Sequence, residues 1–335
     1  MTKKTKISDK FTDFEKLKSE LSSARIDVRI REKAIKEDPD LTRHPATRED
    51  FERKIKALLE RISQLEVVVA TEPPPPELPP RQPLFKVCGV LEEFSVQKVI
   101  GYFGSREYAP EAFAREEERN QMGSLLLAMT GNAAGSAVTG QSRVRLRDCC
   151  DFVRGKINGI SFYGWLGKTH VRNGDYIEMA VMAHNDHYVV YAITLPELRT
   201  LSMTPRCRCG READIRFATF YGVSVFTSIF FIILIIFFFK GLDWEGLMGI
   251  AAIFAVTMFL IFSVANIRAR KTPEPAFRLA ESIFSTLGLS DPQRVDLRVL
   301  TKKKLSALAF SDMPPVTDRE MPSRRSAWVN YFYYY

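Results

Sequence analysis

The sequence predicts an α+β membrane protein with an N-terminal helical hairpin or coiled coil, a small β-barrel-like cytoplasmic domain, a two-helix transmembrane hairpin and a cytoplasmic C-terminal α/β segment. Three observations predict it: two long uncharged runs, strand patterns before them, and two seven-residue apolar repeats near the N-terminus. The predicted boundaries are 1–72 for the helical arm, 73–83 for a proline-rich linker, 84–205 for the β-rich domain, 217–239 and 246–267 for the membrane helices, and 268–335 for the C-terminal segment.

Composition narrows the class of protein. A mean hydropathy of −0.11 excludes a polytopic transporter, whereas the two uncharged runs exclude a wholly soluble chain. The net charge of +8, from 48 Lys and Arg against 40 Asp and Glu, is spread along the chain, so no nucleic-acid partner is expected. Five cysteines are an odd number, which favours a reducing compartment over a disulfide framework. The first 14 residues hold four lysines and no apolar run, so we expect membrane entry through an internal span.

The N-terminal arm carries an apolar seam on each of two predicted helices. Apolar residues recur at alternating steps of three and four from Phe14 to Ile35 and again from Phe51 to Val69, and charged residues fill the other positions. A break at residues 37–45 separates the helices. Two interpretations stay open: a hairpin that packs on itself, and a coiled-coil arm that binds another copy or a protein partner.

The β-rich domain is predicted from its turns. Strand patterns at 152–157 and 160–165 flank Asn158 and Gly159, a pair favoured in two-residue hairpin turns because both residues accept positive φ. A second hairpin is predicted at 176–182 and 188–193, and residues 85–94 form a further strand. Together they indicate a twisted sheet or a barrel of the OB or SH3 type.

Two further segments, 73–83 and 122–140, each allow two interpretations. The prolines of 73–83 predict an extended, semi-rigid spacer, with PxxP recognition as the alternative. Residues 122–140 are uncharged and rich in Gly, Ala and Ser, so they predict a buried helix or glycine loop, with conditional entry into the bilayer as the alternative.

The two uncharged runs predict membrane-spanning helices. At about 1.5 Å per residue, residues 217–239 reach roughly 34 Å, enough to cross the hydrocarbon core of a bilayer. The link to the second run is so short that the two helices must be antiparallel. Neither run contains an ionisable residue, so ion coupling within the pair is not expected.

The flanking charges predict the orientation. Basic residues crowd the outer ends of the two runs, whereas Lys240 is the one cation in the turn, so both termini should be cytoplasmic. The predicted membrane-anchor residues are Arg216, Lys240, Trp244, Asn266, Arg268 and Arg270.

The C-terminal segment predicts one helix and one strand. Residues 276–287 place apolar side chains on one face and end at Gly288, a favourable C-cap. Residues 294–300 alternate in polarity, which predicts a strand returning to the sheet of the β-rich domain. Lys302, Lys303 and Lys304 are expected near anionic lipid headgroups, and the aromatic tail 331–335 suggests no structure.

No catalytic, metal-binding or cofactor-binding residue is predicted. Residues 164–169 end like a phosphate-binding loop, but Phe162 stands where its first glycine belongs. His184 and His187 with Cys207 and Cys209 lack the usual zinc spacing, so we interpret them as turn histidines and thiols near the membrane. Pairing of Cys149 or Cys150 with His170 has no local signature. We expect a non-enzymatic protein without a cofactor.

Four short segments carry a resemblance to a known family. Residues 164–170, 173–178, 186–193 and 196–201, followed by the two spans, resemble bacterial membrane proteins classed as type VI secretion system effectors. The resemblance covers residues 84–270, includes no catalytic motif and therefore transfers no functional residue. It implies a protein of the bacterial inner membrane with a role in interbacterial competition or defence, acting through membrane insertion or oligomerisation, with the lipid bilayer as a partner. The alternative is an immunity or scaffold protein that binds a partner through its cytoplasmic domain.

Overall fold

The structure, a computed structural model, describes residues 11–37, 45–129, 145–239, 241, 243–271, 273–309 and 318–335. The chain divides into two compact units: Met1–Pro76 with Gln97–Gly101, and Glu77–Val96 with Tyr102–Tyr335. The boundary after Pro76 divides the predicted linker, so its residues from Glu77 onward belong to the second unit.

The first unit contains two long helices, α1 (Phe14–Glu37) and α2 (Pro45–Val69). Leu21, Ala24 and Val28 of α1 form a buried cluster with Ile62 and Leu65 of α2. Their spacing places them on one stripe of each helix, so burial of that stripe holds the pair together. The ion pairs between the helices, such as Arg25 with Glu66 at 2.7 Å, are exposed and add little stability.

The second unit is built around a closed five-strand barrel. Its strands are β1 (Phe85–Tyr102), of which Gln97–Gly101 belong to the first unit, β2 (Arg147–Ile157), β3 (Ile160–Leu166), β4 (Tyr176–His184) and β5 (His187–Leu195). The pairing runs β3-β2-β1-β4-β5, and a parallel pairing of β5 with β3 closes the ring. The order of the strands around the ring therefore differs from their order along the chain.

Both predicted hairpins of the barrel are confirmed. Asn158 and Gly159 have φ of 52° and 78°, the conformation that their turn requires. The second turn holds Asn185 at φ 50°. The interior is filled by apolar side chains, which include Leu91, Val153, Ile157, Phe162, Leu166, Ile177, Met179, Val181, Val190 and Ile193.

Two further strands extend the sheet beyond the barrel. Strand β6 (Thr200–Met203) pairs with the second half of β5, and β7 (Phe332–Tyr334) pairs with β6. The aromatic tail, for which the sequence suggested no structure, is therefore the last strand of the sheet. Tyr333 is fully buried.

The helices of the second unit lie between β1 and β2 and between β6 and β7. They are α3 (Ser105–Tyr108), α4 (Pro110–Met129), α5 (Arg211–Phe239), α6 (Trp244–Lys271), α7 (Pro275–Leu287), α8 (Leu297–Ala309) and α9 (Arg324–Val329). Helix α4 includes the start of the segment 122–140, whose residues from 130 onward lie outside the described chain.

One sequence prediction in this region is wrong and one is confirmed. Residues 294–300 do not form a strand, because the Asp296 carboxylate accepts a 2.9 Å hydrogen bond from the backbone N–H of Arg298 and caps α8. Val299, which the alternating pattern predicted to be buried in a sheet, is 60% exposed. Helix α7 is present as predicted, and Gly288 ends it with φ 79°.

Candidate membrane anchor and polar clusters

Helices α5 and α6 are both long and apolar enough to cross a membrane, and the most apolar stretch of each buries no residue inside the protein. They pack against each other as an antiparallel pair. The rings of Phe230 and Phe254 stack with centroids 3.9 Å apart, and those of Phe226 and Phe262 meet edge-to-face at 6.2 Å. Gly222 lies under Phe262, where a Cβ atom would come within 2.8 Å of the ring.

A hydrogen bond also joins the two helices. Thr219 Oγ1 donates to Asn266 Oδ1 at 2.9 Å. The bond gives the Thr219 hydroxyl and the Asn266 side-chain oxygen a partner in the other helix, which matters because unpaired polar groups are costly in lipid.

The chain enters and leaves this helix pair at one end, which we call the base of the hairpin and define as residues 210–216 and 266–271. Backbone hydrogen bonds tie the first part of the base to the segment before α8. Gly210 N donates to Val295 O at 2.9 Å, and Glu212 N donates to Gln293 O at 3.0 Å.

Two further contacts reinforce this junction. Arg211 N donates to Glu281 Oε1 of α7 at 2.9 Å, and the Glu212 carboxylate pairs with Arg294 at 3.0 Å. The start of α5 is therefore fastened to the C-terminal helices by backbone and side-chain bonds, not only by the covalent chain.

The structure brings most of the predicted anchor residues to one end of the hairpin. Arg216, Asn266, Arg268 and Arg270 lie at the base, and Arg216 lies 3.8 Å from Glu212. Trp244 begins α6 at the opposite end and is 74% exposed. Lys240 lies outside the described residues. Asn266 has a more specific role than the sequence indicated, since it binds Thr219.

The residues considered for zinc do not come together. His184 Nδ1 lies 3.2 Å from a Glu77 carboxylate oxygen, and its ring stacks on that of His187 at 4.9 Å. Cys207 is buried elsewhere, with its Sγ 3.4 Å from the Tyr108 hydroxyl. Burial raises the pKa of both Cys207 and Cys209 to about 12, so these thiols stay protonated near neutral pH. Within the described residues, no group of three or more acidic, Cys or His side chains is placed to hold a metal.

Glu77 contacts the barrel, which the sequence did not predict. Its carboxylate accepts a 2.6 Å hydrogen bond from the Tyr163 hydroxyl, and its backbone carbonyl accepts one of 2.8 Å from Tyr191. Burial, followed by the nearby carboxylate, raises the pKa of Tyr163 to about 12. This part of the proline-rich segment is thus bound to the barrel and is not a free spacer.

The other candidate chemical groups are held in structural contacts. His170 Nε2 lies 3.3 Å from Thr200 Oγ1, and its ring lies 4.8 Å from that of Phe332. Burial, with a smaller contribution from Arg319, lowers the pKa of His170 to about 4. Cys150 Sγ donates to the Asp148 carbonyl at 3.3 Å, and burial raises the pKa of Cys149.

The segment that resembled a phosphate-binding loop has a different conformation. Residues 167–170 follow β3 without forming a helix, and Lys168 pairs with Glu320. A Cβ atom on Gly167 would overlap the carbonyl oxygen of Asn330, so this glycine allows the C-terminal segment to approach β3. The loop lacks the helix N-terminus on which phosphate binding depends.

Comparison with known proteins adds no family: no family model, no curated protein and no solved structure matches the chain.

Proposed function

We propose that this chain is a non-enzymatic protein of the bacterial inner membrane that acts in interbacterial competition or defence as an immunity or scaffold protein. The hairpin is its membrane anchor, and the barrel is a cytoplasmic module that binds a protein partner. The proposal is carried by one observation: the chain enters and leaves the hairpin through a single folded unit, with Gly210 and Glu212 bonded to residues 293–295.

This junction favours anchoring over independent insertion. A segment that moves in and out of a bilayer must break its polar contacts with the soluble part, and each hydrogen bond contributes about 0.5–1.5 kcal/mol to holding it in place. The base of the hairpin is fastened by several such bonds, including those of Arg211 and Glu212. Basic residues at both ends of the base, Arg216 on one side and Arg268 and Arg270 on the other, support a cytoplasmic position for both termini.

A second candidate function is action within the membrane by insertion or oligomerisation, as the effector resemblance implies. It is favoured by the apolar outer faces of α5 and α6, which are open to lipid or to other copies of the hairpin. In the arm, Ile26, Ile30 and Leu59 are at least half exposed, which favours contact with another helix.

Membrane integration is tested first by carbonate extraction of membranes that contain the full chain. We expect the wild-type chain to stay in the pellet. The double variant Ile233→Arg/Ile253→Arg places one charge on the exposed middle of each helix, at a cost of about 2.5–3.5 kcal/mol each, and should become extractable. Ile26→Arg, on the exposed face of α1, is the matched control and should stay with the wild type. If carbonate extracts the wild-type chain, the hairpin is not a membrane anchor and the proposal is wrong on this point.

The two candidate functions are separated by a potential-sensitive dye. Expression of the full chain in bacterial cells should leave the membrane potential unchanged if the hairpin only anchors the barrel. If the wild type depolarises the cells and Ile233→Arg/Ile253→Arg does not, the anchoring function is wrong and the membrane-active function is supported.

A further inference from the structure

A cavity of about 360 Å³ lies beside the start of the first membrane helix. We call it the headgroup cavity and define it by six of its lining residues, Phe217, Arg298, Val299, Lys302, Arg324 and Trp328. They come from α5, α8 and α9, so the cavity exists only because the C-terminal helices fold back to the base of the hairpin.

Arg298 forms a fixed wall of the cavity. Its guanidinium makes two hydrogen bonds to the Asp296 carboxylate, of 2.8 and 3.1 Å, and both side chains are less than a tenth exposed. The same group lies 5.0 Å from the ring centre of Phe217 and 4.9 Å from that of Trp328. Because Asp296 compensates its charge, Arg298 holds the two rings in place and leaves anion binding to other residues.

Lys302 and Arg324 supply the uncompensated charge. Both are exposed, and within the described residues neither forms an ion pair; the one carboxylate of the lining, Asp296, is bonded to Arg298. They line one cavity from two different helices, so two cations face a space large enough for a phosphate group and its ester substituents. Such paired cations favour a phosphate ligand.

The depth of the cavity identifies the source of that phosphate. Phe217 is the first residue of the uncharged run, so it marks the level where the polar and apolar parts of a bilayer meet. Val299 and Trp328 beside it are each 60% exposed, although both side chains are apolar. Exposed apolar side chains next to cations at this level match the boundary between headgroups and acyl chains.

We propose that the headgroup cavity binds an anionic phospholipid of the cytoplasmic leaflet. Lys302 and Arg324 contact the phosphate, and Val299 and Trp328 contact the start of the acyl chains. The inference rests on the proposed membrane anchor. It also narrows the prediction made for the three consecutive lysines, because Lys302 lines the cavity and Lys303 and Lys304 do not.

The test measures which lipids the full chain retains after purification in detergent. Wild-type protein from bacterial membranes is analysed by native mass spectrometry for bound phosphatidylglycerol and phosphatidylethanolamine. We expect phosphatidylglycerol to be enriched over its share in the membrane, and Lys302→Gln/Arg324→Gln to retain roughly 10- to 30-fold less of it. The matched control, Lys303→Gln/Arg325→Gln, removes the same charge beside the cavity and should retain as much as the wild type.

Three results would overturn the inference. Equal loss in the two double variants would assign the binding to general surface charge, and equal retention of both lipids would remove the anionic selectivity. A change in tryptophan fluorescence when lipid-free protein is titrated with inorganic phosphate would assign the cavity to a free phosphate instead. Carbonate extraction is a separate measurement, so failure of the anchor and failure of the lipid site are distinguishable.

Discussion

At the scale of single residues, Gly164 determines whether the barrel can close. It lies opposite Val190 in the parallel pairing of β3 with β5, and a Cβ atom on it would overlap the Val190 carbonyl oxygen. The sequence shows a glycine within a strand pattern, which indicates a close approach of some kind. It does not identify the approaching strand, which comes from residues far along the chain.

We therefore predict that Gly164→Ala destabilises the barrel by roughly 1–3 kcal/mol, because the strands must move apart to admit a methyl group. Thermal unfolding of the detergent-solubilised chain measures the effect. Gly249→Ala is the control, since a Cβ atom there meets no neighbour, and it should unfold as the wild type does. An unchanged unfolding temperature for Gly164→Ala would show that the parallel pairing is not formed.

His170 predicts a pH dependence of stability. Burial lowers its pKa to about 4 in the folded chain, against 6.5 when exposed. Because the folded pKa is the lower one, the unfolded chain takes up this proton first as the pH falls. The stabilisation is complete above about pH 6.5 and decreases as the pH falls towards 4. Allowing for the partial exposure of the ring, we expect a loss of about 2 kcal/mol.

The measurement compares denaturant unfolding of the wild type with that of His170→Gln across this pH range. The variant should lose less stability than the wild type on acidification, because Gln does not titrate and the carboxylates are common to both. Parallel curves for the two proteins would mean that His170 is not buried as described.

At the scale of elements, the helix pair and the aromatic tail differ in how far local sequence predicts them. The hairpin follows from two uncharged runs and a short link, since a chain crossing lipid must be helical. The last strand does not follow from its sequence, because five aromatic residues at the C-terminus form a strand only where β6 offers an open edge. Tyr331 strengthens this edge by donating a 2.7 Å hydrogen bond to Asp148.

We predict that the packing of α5 on α6 depends on Gly222 and not on Gly249. Cysteines at positions 219 and 266 replace two side chains that are hydrogen-bonded in the wild type, so they should form a disulfide on mild oxidation. Adding Gly222→Val should reduce the disulfide yield several-fold, because the larger side chain collides with Phe262.

Gly249→Val is the matched control for this experiment and should leave the yield unchanged, since the space at this position is open. Peptide mass spectrometry quantifies the disulfide. Equal yields from the two valine variants would show that the helices cross elsewhere.

At the scale of the whole molecule, both flanks of the hairpin belong to the second unit, so the apolar helix pair interrupts a module whose strands come from either side of it. For the proposed membrane anchor, such a module requires both flanks to fold on the same side of the membrane. The antiparallel pair satisfies this requirement, and the aromatic tail completes the sheet only under that condition.

This requirement predicts the accessibility of introduced cysteines. A membrane-impermeant maleimide should label Trp244→Cys in intact cells, because position 244 lies at the end of the hairpin opposite the base. Val329→Cys, which is exposed on α9, should react only after the membrane is opened. Labelling of Val329→Cys from outside would contradict the proposed position of the barrel.

Local sequence is enough to predict the two membrane-length helices, the two tight hairpins and the C-cap at Gly288. Each depends on residues close together in the chain: the length of an uncharged run, the tolerance of Asn158 and Gly159 for positive φ, and the freedom of a glycine. The alternation of polar and apolar residues at 294–300 wrongly predicted a strand, because a single capping carboxylate, Asp296, outweighs a weak two-residue period.

Four features depend instead on tertiary contacts: the closure of β3 on β5, the binding of Glu77 to the barrel, the burial of the tail, and the presence of Lys302 and Arg324 in one cavity. These features pair residues that are distant in sequence, and their free energy comes from surfaces that exist only once the partners have folded. The same holds for the predicted anchor residue Asn266, whose hydrogen bond with Thr219 joins two helices that are distant in sequence at this point.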